Sequence, residues 1–225
     1  TMGNSRDNPG WLIAVSVSKK GESSMKLLCC ADLHNSFDLT HFETQTYDKE
    51  PDIIVTLGDI SVQDLRIIKR TADNLGIPAI GVCGNHDEPF VLQSVDIDDL
   101  HGKVKTIDGM SFVGIGGSLR YKRSNYMFLT QQQSIDIAKK LPKADVLITH
   151  DKAYTGWFVD TKAQFAKDPH AGLVGITKYI RKNKPKYHLY GHLHQRMTEE
   201  KYGTTSMCIY GIQLVDIGGK DDEEV

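Results

Sequence analysis

The stretch Met25-Lys26-Leu27-Leu28-Cys29-Cys30-Ala31-Asp32-Leu33-His34 decides how the chain is read. Its first part is a short apolar run, as in a strand buried on both faces. Its end places a carboxylate and an imidazole two positions apart. The same design recurs further along. Ile53 to Leu57 leads into Gly58-Asp59, and Ala79 to Cys83 leads into Gly84-Asn85-His86-Asp87. Asp145 to Thr149 runs into His150, and Tyr187 to Tyr190 into Gly191-His192-Leu193-His194. These segments hold five of the chain's nine histidines.

Helical patterns lie between the apolar runs. Residues 63–75 align Leu65, Ile68, Ala72 and Leu75 on one face, and Gly76 followed by Pro78 supplies a stop. Residues 131–141 end at Pro142. Residues 172–183 align Val174, Thr177 and Ile180 and end before Pro185. Strand alternating with helix predicts an α/β protein with βαβ units and buried parallel or mixed sheets. Loops after the strand C-termini of such sheets converge on one crevice, so the five distant segments can meet. Phe112 to Ile115 reads as a further strand, closed by Gly116-Gly117. Arg196 to Ile217 has no helical period and reads as two or three antiparallel strands.

With 225 residues, 40% of them hydrophobic and 25% charged, the composition is that of an ordinary globular protein. A net charge of −2 supplies no global basic field for nucleic acid. Cys29, Cys30, Cys83 and Cys208 form no CxxC pair and read as small buried hydrophobes in a reducing cytoplasm. Trp11 to Val17 is too short to span a bilayer, and no secretory cleavage pattern follows it. Residues 1–24 read as an N-terminal extension, with an edge strand at 11–17 as the alternative. The domain then spans 25–217, and 218–225 form an acidic tail.

Carboxylate, amide and imidazole at these loop positions suit two adjacent divalent metals, which can activate water against a phosphate ester. The order D-x-H, GD, GNHD, H, GHxH resembles the calcineurin-like metallophosphoesterase superfamily over roughly Met25 to Ile217. The resemblance implies a four-layer αββα sandwich with mixed β-sheets and a dinuclear metal site at strand C-terminal ends. It assigns Asp32, His34, Asp59 and His194 to one metal. Asp59, Asn85, His150 and His192 go to the other, with Asp59 bridging. Asp32 and His34 would point the same way from an extended segment, as would His192 and His194. The mixed nitrogen and oxygen donors suit Mn, Fe or Zn better than Mg or Ca. A metal-bridging hydroxide would attack phosphorus in line. His86, at the GNH position, would be the catalytic group on the leaving-group side and not a metal ligand.

Two departures narrow the resemblance. Many members carry a second Asp three residues after the GD Asp; here that position is Val62. This disfavours the Ser/Thr protein phosphatase branch and leaves Asp87 or Asp64 as candidate partners for His86. From His150 onward, TH…Asp160…His170-Ala171-Gly172…Pro185…GHLH is similar to small prokaryotic phosphoesterases related to the bacterial cyclic-nucleotide phosphodiesterase group. Asp151-Lys152-Ala153 replaces the proline pair of that group. The resemblance thus implies a phosphoesterase, acting on diesters more than monoesters, with a small phosphate-ester substrate and no membrane; the net charge disfavours a nucleic-acid partner without excluding one. A nuclease of the same superfamily and a non-catalytic scaffold are the rivals, and His86 argues against the scaffold.

Asp87, His170, Arg120 and Arg123 are further candidates for contact with substrate or ligands. His170 reads equally as a residue opening a helix and as a substrate-facing group. His188, on a strand, reads as structural; His41 and His101 read as surface residues. Arg120 to Gln133 is basic and aromatic, and reads either as a site for phosphate or a stacked base, or as solvated charge. Ala153 to Lys167, with Tyr154, Trp157 and Phe158, reads either as a lid or as core. Gly114-Ile115-Gly116-Gly117 lacks the spacing of a dinucleotide loop.

Overall fold

The computed structural model describes residues 24–34, 36–123, 126–156 and 160–218. Residues 1–23 of the N-terminal extension, with its alternative strand at 11–17, the tail beyond Gly218, and Trp157 and Phe158 lie outside the described residues. The chain begins β1 (Met25–Ala31), α1 (Leu39–Tyr47), β2 (Ile53–Thr56), α2 (Val62–Leu75), β3 (Ala79–Gly81) and β4 (Asp98–Asp99). It continues β5 (Val104–Ile107), β6 (Met110–Ile115), β7 (Ser118–Leu119), β8 (Phe128–Leu129), α3 (Gln131–Lys140), β9 (Val146–Thr149) and α4 (Val174–Asn183). It closes with β10 (Tyr187–Tyr190), β11 (Met197–Lys201), β12 (Thr204–Cys208) and β13 (Gly211–Ile217).

Of the two large sheets, one has the order β13-β1-β2-β3-β4 and the other β11-β12-β10-β9-β6-β5; β7 and β8 pair by themselves. The inner pairs are parallel, and β13, β5 and β11 are antiparallel to their neighbours. The layers follow from strand alternation. Leu27, Cys29, Ile53 and Val55 of the first sheet meet Phe112, Val146, Ile148 and Leu189 of the second in a shared core. Leu28, Cys30 and Ile54 face the other way, onto Phe42 of α1 and Leu65, Ile68 and Ala72 of α2. Val113, Ile115 and Leu147 face Ala138 of α3 and Ile176, Tyr179 and Ile180 of α4. The arrangement is helix, sheet, sheet, helix, the sandwich expected. It also explains the apolar runs, because both faces of each central strand are covered.

The helix ends obey local chemistry. Ser61 caps α2 by accepting from the Asp64 amide, and Gly76 ends it at φ 67°. Thr130 and Gln133 form a reciprocal capping box on α3. Gly175 lets α4 press on α3: a Cβ there would lie 2.1 Å from the Ser134 carbonyl oxygen.

The C-terminal strands correct one expectation. β11 and β12 form an antiparallel pair, but β12 joins β10 in parallel and β13 crosses to the other sheet beside β1. The last helix begins at Val174, so His170 sits in a turn before it rather than opening it. His101 is half-buried, not a surface group; its Nδ1 accepts from the Gly116 amide, and burial lowers its pKa. His188 is structural as expected. Thr149 Oγ1 donates to the Asp151 carbonyl, so His188 Nε2–H donates to Thr149 at 2.8 Å. All four cysteines are buried and unpaired. Burial pushes Cys30 and Cys83 up to about 12, which keeps them unreactive and protonated.

Candidate metal centre

The motif residues meet at the C-terminal ends of β1, β2, β3, β9 and β10, but not by way of extended backbone. Asp32, His34, Asp59, His192 and His194 all have positive φ, between 39° and 70°. Left-handed conformation costs roughly 1–2 kcal/mol for a side chain with a Cβ, and Asp and His are among the residues that adopt it most readily. The expected strand-like alternation of Asp32 with His34 and of His192 with His194 is therefore replaced by tight turns. Those turns are locked to each other. The Asp32 amide donates to the Gly58 carbonyl at 3.0 Å, His34 to Asp59 at 3.2 Å, and Gly191 to His150 at 3.0 Å. Five strained residues held by neighbouring loops are what a preorganised site looks like.

Asp87 is the clasp between two of these loops. One of its oxygens accepts from the Gly84 amide at 2.7 Å and the Asp59 amide at 2.9 Å; the other accepts from Ile60 at 3.1 Å. Asp64 is bonded to the Ser61 hydroxyl at the start of α2. Among the described residues neither carboxylate is bonded to the His86 ring, so neither of the two expected partners orients it. The His86 amide donates to Asp59 Oδ1 at 2.8 Å, and its exposed ring lies 5.3 Å from that of His34, edge to face. Gly84 is required here: a Cβ would fall 2.1 Å from Asp59 Oδ1.

The side chains then present acceptor atoms to a common space. His150 is fully buried, and its Nδ1–H donates to the Leu57 carbonyl at 2.7 Å. Its Nε2 is thereby aimed at Asn85 Oδ1, 3.0 Å away, and Asp59 Oδ2, 3.5 Å away. Three acceptors facing one another are satisfied only by a proton on Nε2 or by a cation among them. Burial would lower the His150 pKa, yet the Asp59 carboxylate overrides this and pushes it up to about 10. Against its own burial, Asp59 is held below the usual carboxylate range by His150 and by the His86 amide.

The other side repeats the pattern. His34 Nε2 lies 3.1 Å from His194 Nε2 and 3.5 Å from Asp59 Oδ2. Asp32 Oδ2 accepts from the His192 amide at 2.8 Å. Its Oδ1 is buried without a hydrogen-bond partner and lies 3.8 Å from His194 Nε2. An orphaned carboxylate oxygen is costly unless a cation completes it. Asp32, His34 and His194 form one group able to hold a metal, and Asp32, Asp59 and His150 another. His192 leans on both neighbours: its Nε2–H faces the Pro169 carbonyl at 3.4 Å, leaving Nδ1 as the lone-pair atom, and its ring lies 5.0 Å from that of His150. Burial, then the charge of His150, pushes His192 down to about 3, so it stays neutral and able to ligate.

The remaining candidates divide. His170 reaches the site, its ring 5.0 Å from His192. Arg120 is half-buried, donating to the Phe128 carbonyl at 3.2 Å, and Arg123 is exposed. Sequence reasoning missed Tyr210, whose ring stacks on His194 at 5.5 Å and 19°. Arg196 secures that loop through the Tyr210 and Ile212 carbonyls, at 3.1 Å and 3.2 Å. A lone tyrosine between two strands carries no motif that would have marked it.

Comparison with known proteins agrees with this geometry. The calcineurin-like phosphoesterase superfamily domain matches residues 25–212. An uncharacterized protein of Methanocaldococcus jannaschii, MJ1162, is 27% identical over 195 residues, covering 80% of this chain and 85% of that protein. Among solved structures, TT1561 of Thermus thermophilus superposes with a TM-score of 0.58 at 13% identity, covering 87% of this chain and 99% of that one. Phosphopantetheinyl hydrolase of Mycobacterium tuberculosis does so with a TM-score of 0.54 at 12% identity, covering 89% and 98%. At such identities the superpositions show a shared fold. The family match spans the whole constellation from Asp32 to His194, and the chain belongs to the calcineurin-like phosphoesterase superfamily, as a metal-dependent phosphoester hydrolase.

Proposed function

We propose that the protein hydrolyses small phosphodiesters with two divalent cations held side by side. The observation that carries this reading is the two groups of inward-facing acceptors that flank Asp59, whose Oδ2 lies 3.5 Å from both His34 Nε2 and His150 Nε2. Asp32, His34, Asp59 and His194 would hold one ion; Asp59, Asn85, His150 and His192 would hold the other. Bound there, such ions would lower the pKa of a water and neutralise phosphoryl oxygens. Four imidazoles among the donors favour Mn, Fe or Zn.

The chain's own residues do the rest. Asp59 accepts the His86 amide and so ties the GNHD loop to the carboxylate that would hold the cations. His86, exposed beside His34, offers a ring nitrogen that can hand a proton to the departing alkoxide. Asp87 holds the Asp59 and Ile60 backbone in place. Residues 25–217 form the working unit of this reading. A reducing cytoplasmic setting fits four buried, unpaired thiols. No helix among the described residues is long and apolar enough to cross a membrane.

The test is metal content with turnover. Purified protein reloaded with Mn²⁺ should hold about two ions per chain and cleave bis-p-nitrophenyl phosphate faster than p-nitrophenyl phosphate. One ion per chain, or a preference for the monoester, overturns the corresponding part. Comparable cleavage of single-stranded DNA would favour a nuclease.

A further inference from the structure

Two segments set apart in the sequence, the basic aromatic stretch from Arg120 and the stretch from Ala153 to Lys167, come together around one cavity of about 480 Å³. Leu119, Tyr154 and Phe165 line it with apolar and aromatic surface, and Arg120, Lys167 and Asp168 supply polar groups. The walls are tied to each other. The Ala166 amide donates to the Arg120 carbonyl at 2.7 Å. Buried Gln131 donates to the Gly172 carbonyl at 2.9 Å and accepts from the Val174 amide at 2.7 Å, which pins the far wall to α3. The volume lies in the range of pockets that enclose small organic ligands.

The position of this cavity gives it a use. Asp168 and Ala171 line it. Between them, Pro169 presents its carbonyl to His192 and His170 packs its ring on the same histidine. Wall and metal centre are therefore separated by no more than two residues, roughly 7 Å of chain. A molecule whose phosphate lies on the His192 side can extend past His170 into the cavity.

We propose that this cavity receives the arm of a phosphodiester that does not leave, and that this arm carries a flat, ring-bearing organic group of about nucleoside size. The proposal rests on the phosphodiesterase reading of the metal centre. Phe165 is 39% exposed, so it offers a face on which a ring can stack. Arg120 and Lys167 suit carbonyl oxygens on the ring's edge, and the Asp168 carboxylate suits a hydroxyl or amino group. A lipid chain would leave those charged groups facing hydrocarbon, and a simple sugar would leave the aromatic surface uncovered.

The experiment compares two diesters with the same leaving group, thymidine 5′-(p-nitrophenyl phosphate) and methyl p-nitrophenyl phosphate, on the Mn²⁺-loaded full chain. The expected result is a kcat/KM at least tenfold higher for the thymidine ester, with the gain mostly in KM. Phe165→Ala and Lys167→Ala should each reduce that selectivity several-fold; both residues are partly or largely exposed, so the variants can be checked for an unchanged melting curve. Equal kcat/KM for the two esters in the wild type, or selectivity untouched by Phe165→Ala, overturns the proposal. If neither ester is cleaved, the phosphodiesterase reading fails by itself. The cavity is then judged by calorimetry with thymidine 5′-monophosphate: binding lost in Phe165→Ala sustains it, and no binding to the wild type ends it.

Discussion

The two halves of the metal centre are built differently. Around His150 the donors are sealed: Asp59, Asn85 and His150 are 3%, 1% and 0% exposed, His150 donates to the Leu57 carbonyl, and Asp87 holds the loops in register by accepting from the Gly84, Asp59 and Ile60 amides. Around His34 and His194 the imidazoles are open, with side chains 37% and 50% exposed, and the support is ring packing by His86 and Tyr210. The buried half is preorganised by the fold, and an ion bound there would take the place of a proton that Asp59 draws onto His150. The open half faces solvent, and its geometry depends on weaker contacts. Asp59 belongs to both.

That contrast orders the expected effects. Asp59→Asn removes the charge shared by both halves and should abolish turnover, by about 10³-fold or more, while weakening both ions. A variant that kept two tightly held ions by elemental analysis would show that the halves do not share this carboxylate. His86→Ala should retain both ions yet lose roughly 10²-fold in kcat. Full activity would remove His86 from the leaving-group side. Asp87→Asn and Tyr210→Ala set the halves directly against each other. Loosening the clasp on the Asp59 loop should weaken metal affinity by about 10–100-fold, whereas loss of the Tyr210 stack should cost about tenfold or less. The reverse order in a chelator competition would mean that the open half supplies most of the binding.

A last effect, on stability, concerns a histidine outside both halves. Burial pushes His188 down to about 3, so the fold keeps it neutral. Above its ordinary value near 6.5 neither folded nor unfolded chain protonates it. Below that the unfolded chain gains a proton the folded one refuses, so stability falls as pH drops from about 6.5 towards about 3. Between pH 6.5 and 5 the loss should approach about 2 kcal/mol in urea unfolding of chelated protein, and His188→Gln should flatten it. An unchanged slope in the variant would assign the acid sensitivity to the site histidines instead.

The apolar runs from Met25, Ile53, Ala79, Asp145 and Tyr187 made the sheets legible, because a strand covered on both faces has no polar side to disguise it. The helices with a long apolar stripe, such as Val62–Leu75, were legible for the same reason. α1 was not: of its residues only Phe42 and Thr46 are buried, so it shows no stripe, and its start rests on Asp38 accepting from the His41 amide. Nor could pattern alone place β13, since a strand's alternation says which faces are covered and nothing about which sheet supplies the neighbour.

The sequence by itself determined the donor chemistry: seven carboxylate, amide and imidazole groups, each directly behind a buried strand, and a histidine at the GNH position. It could do so because spacing and side-chain type are local properties. Only the tertiary structure decided how the donors converge, through left-handed turns at Asp32, Asp59 and His192 locked by the neighbouring loops and by Asp87. It alone showed Tyr210 on His194 and the cavity behind His170. Those contacts join residues far apart in the chain, and their energy comes from packing that no single segment contains.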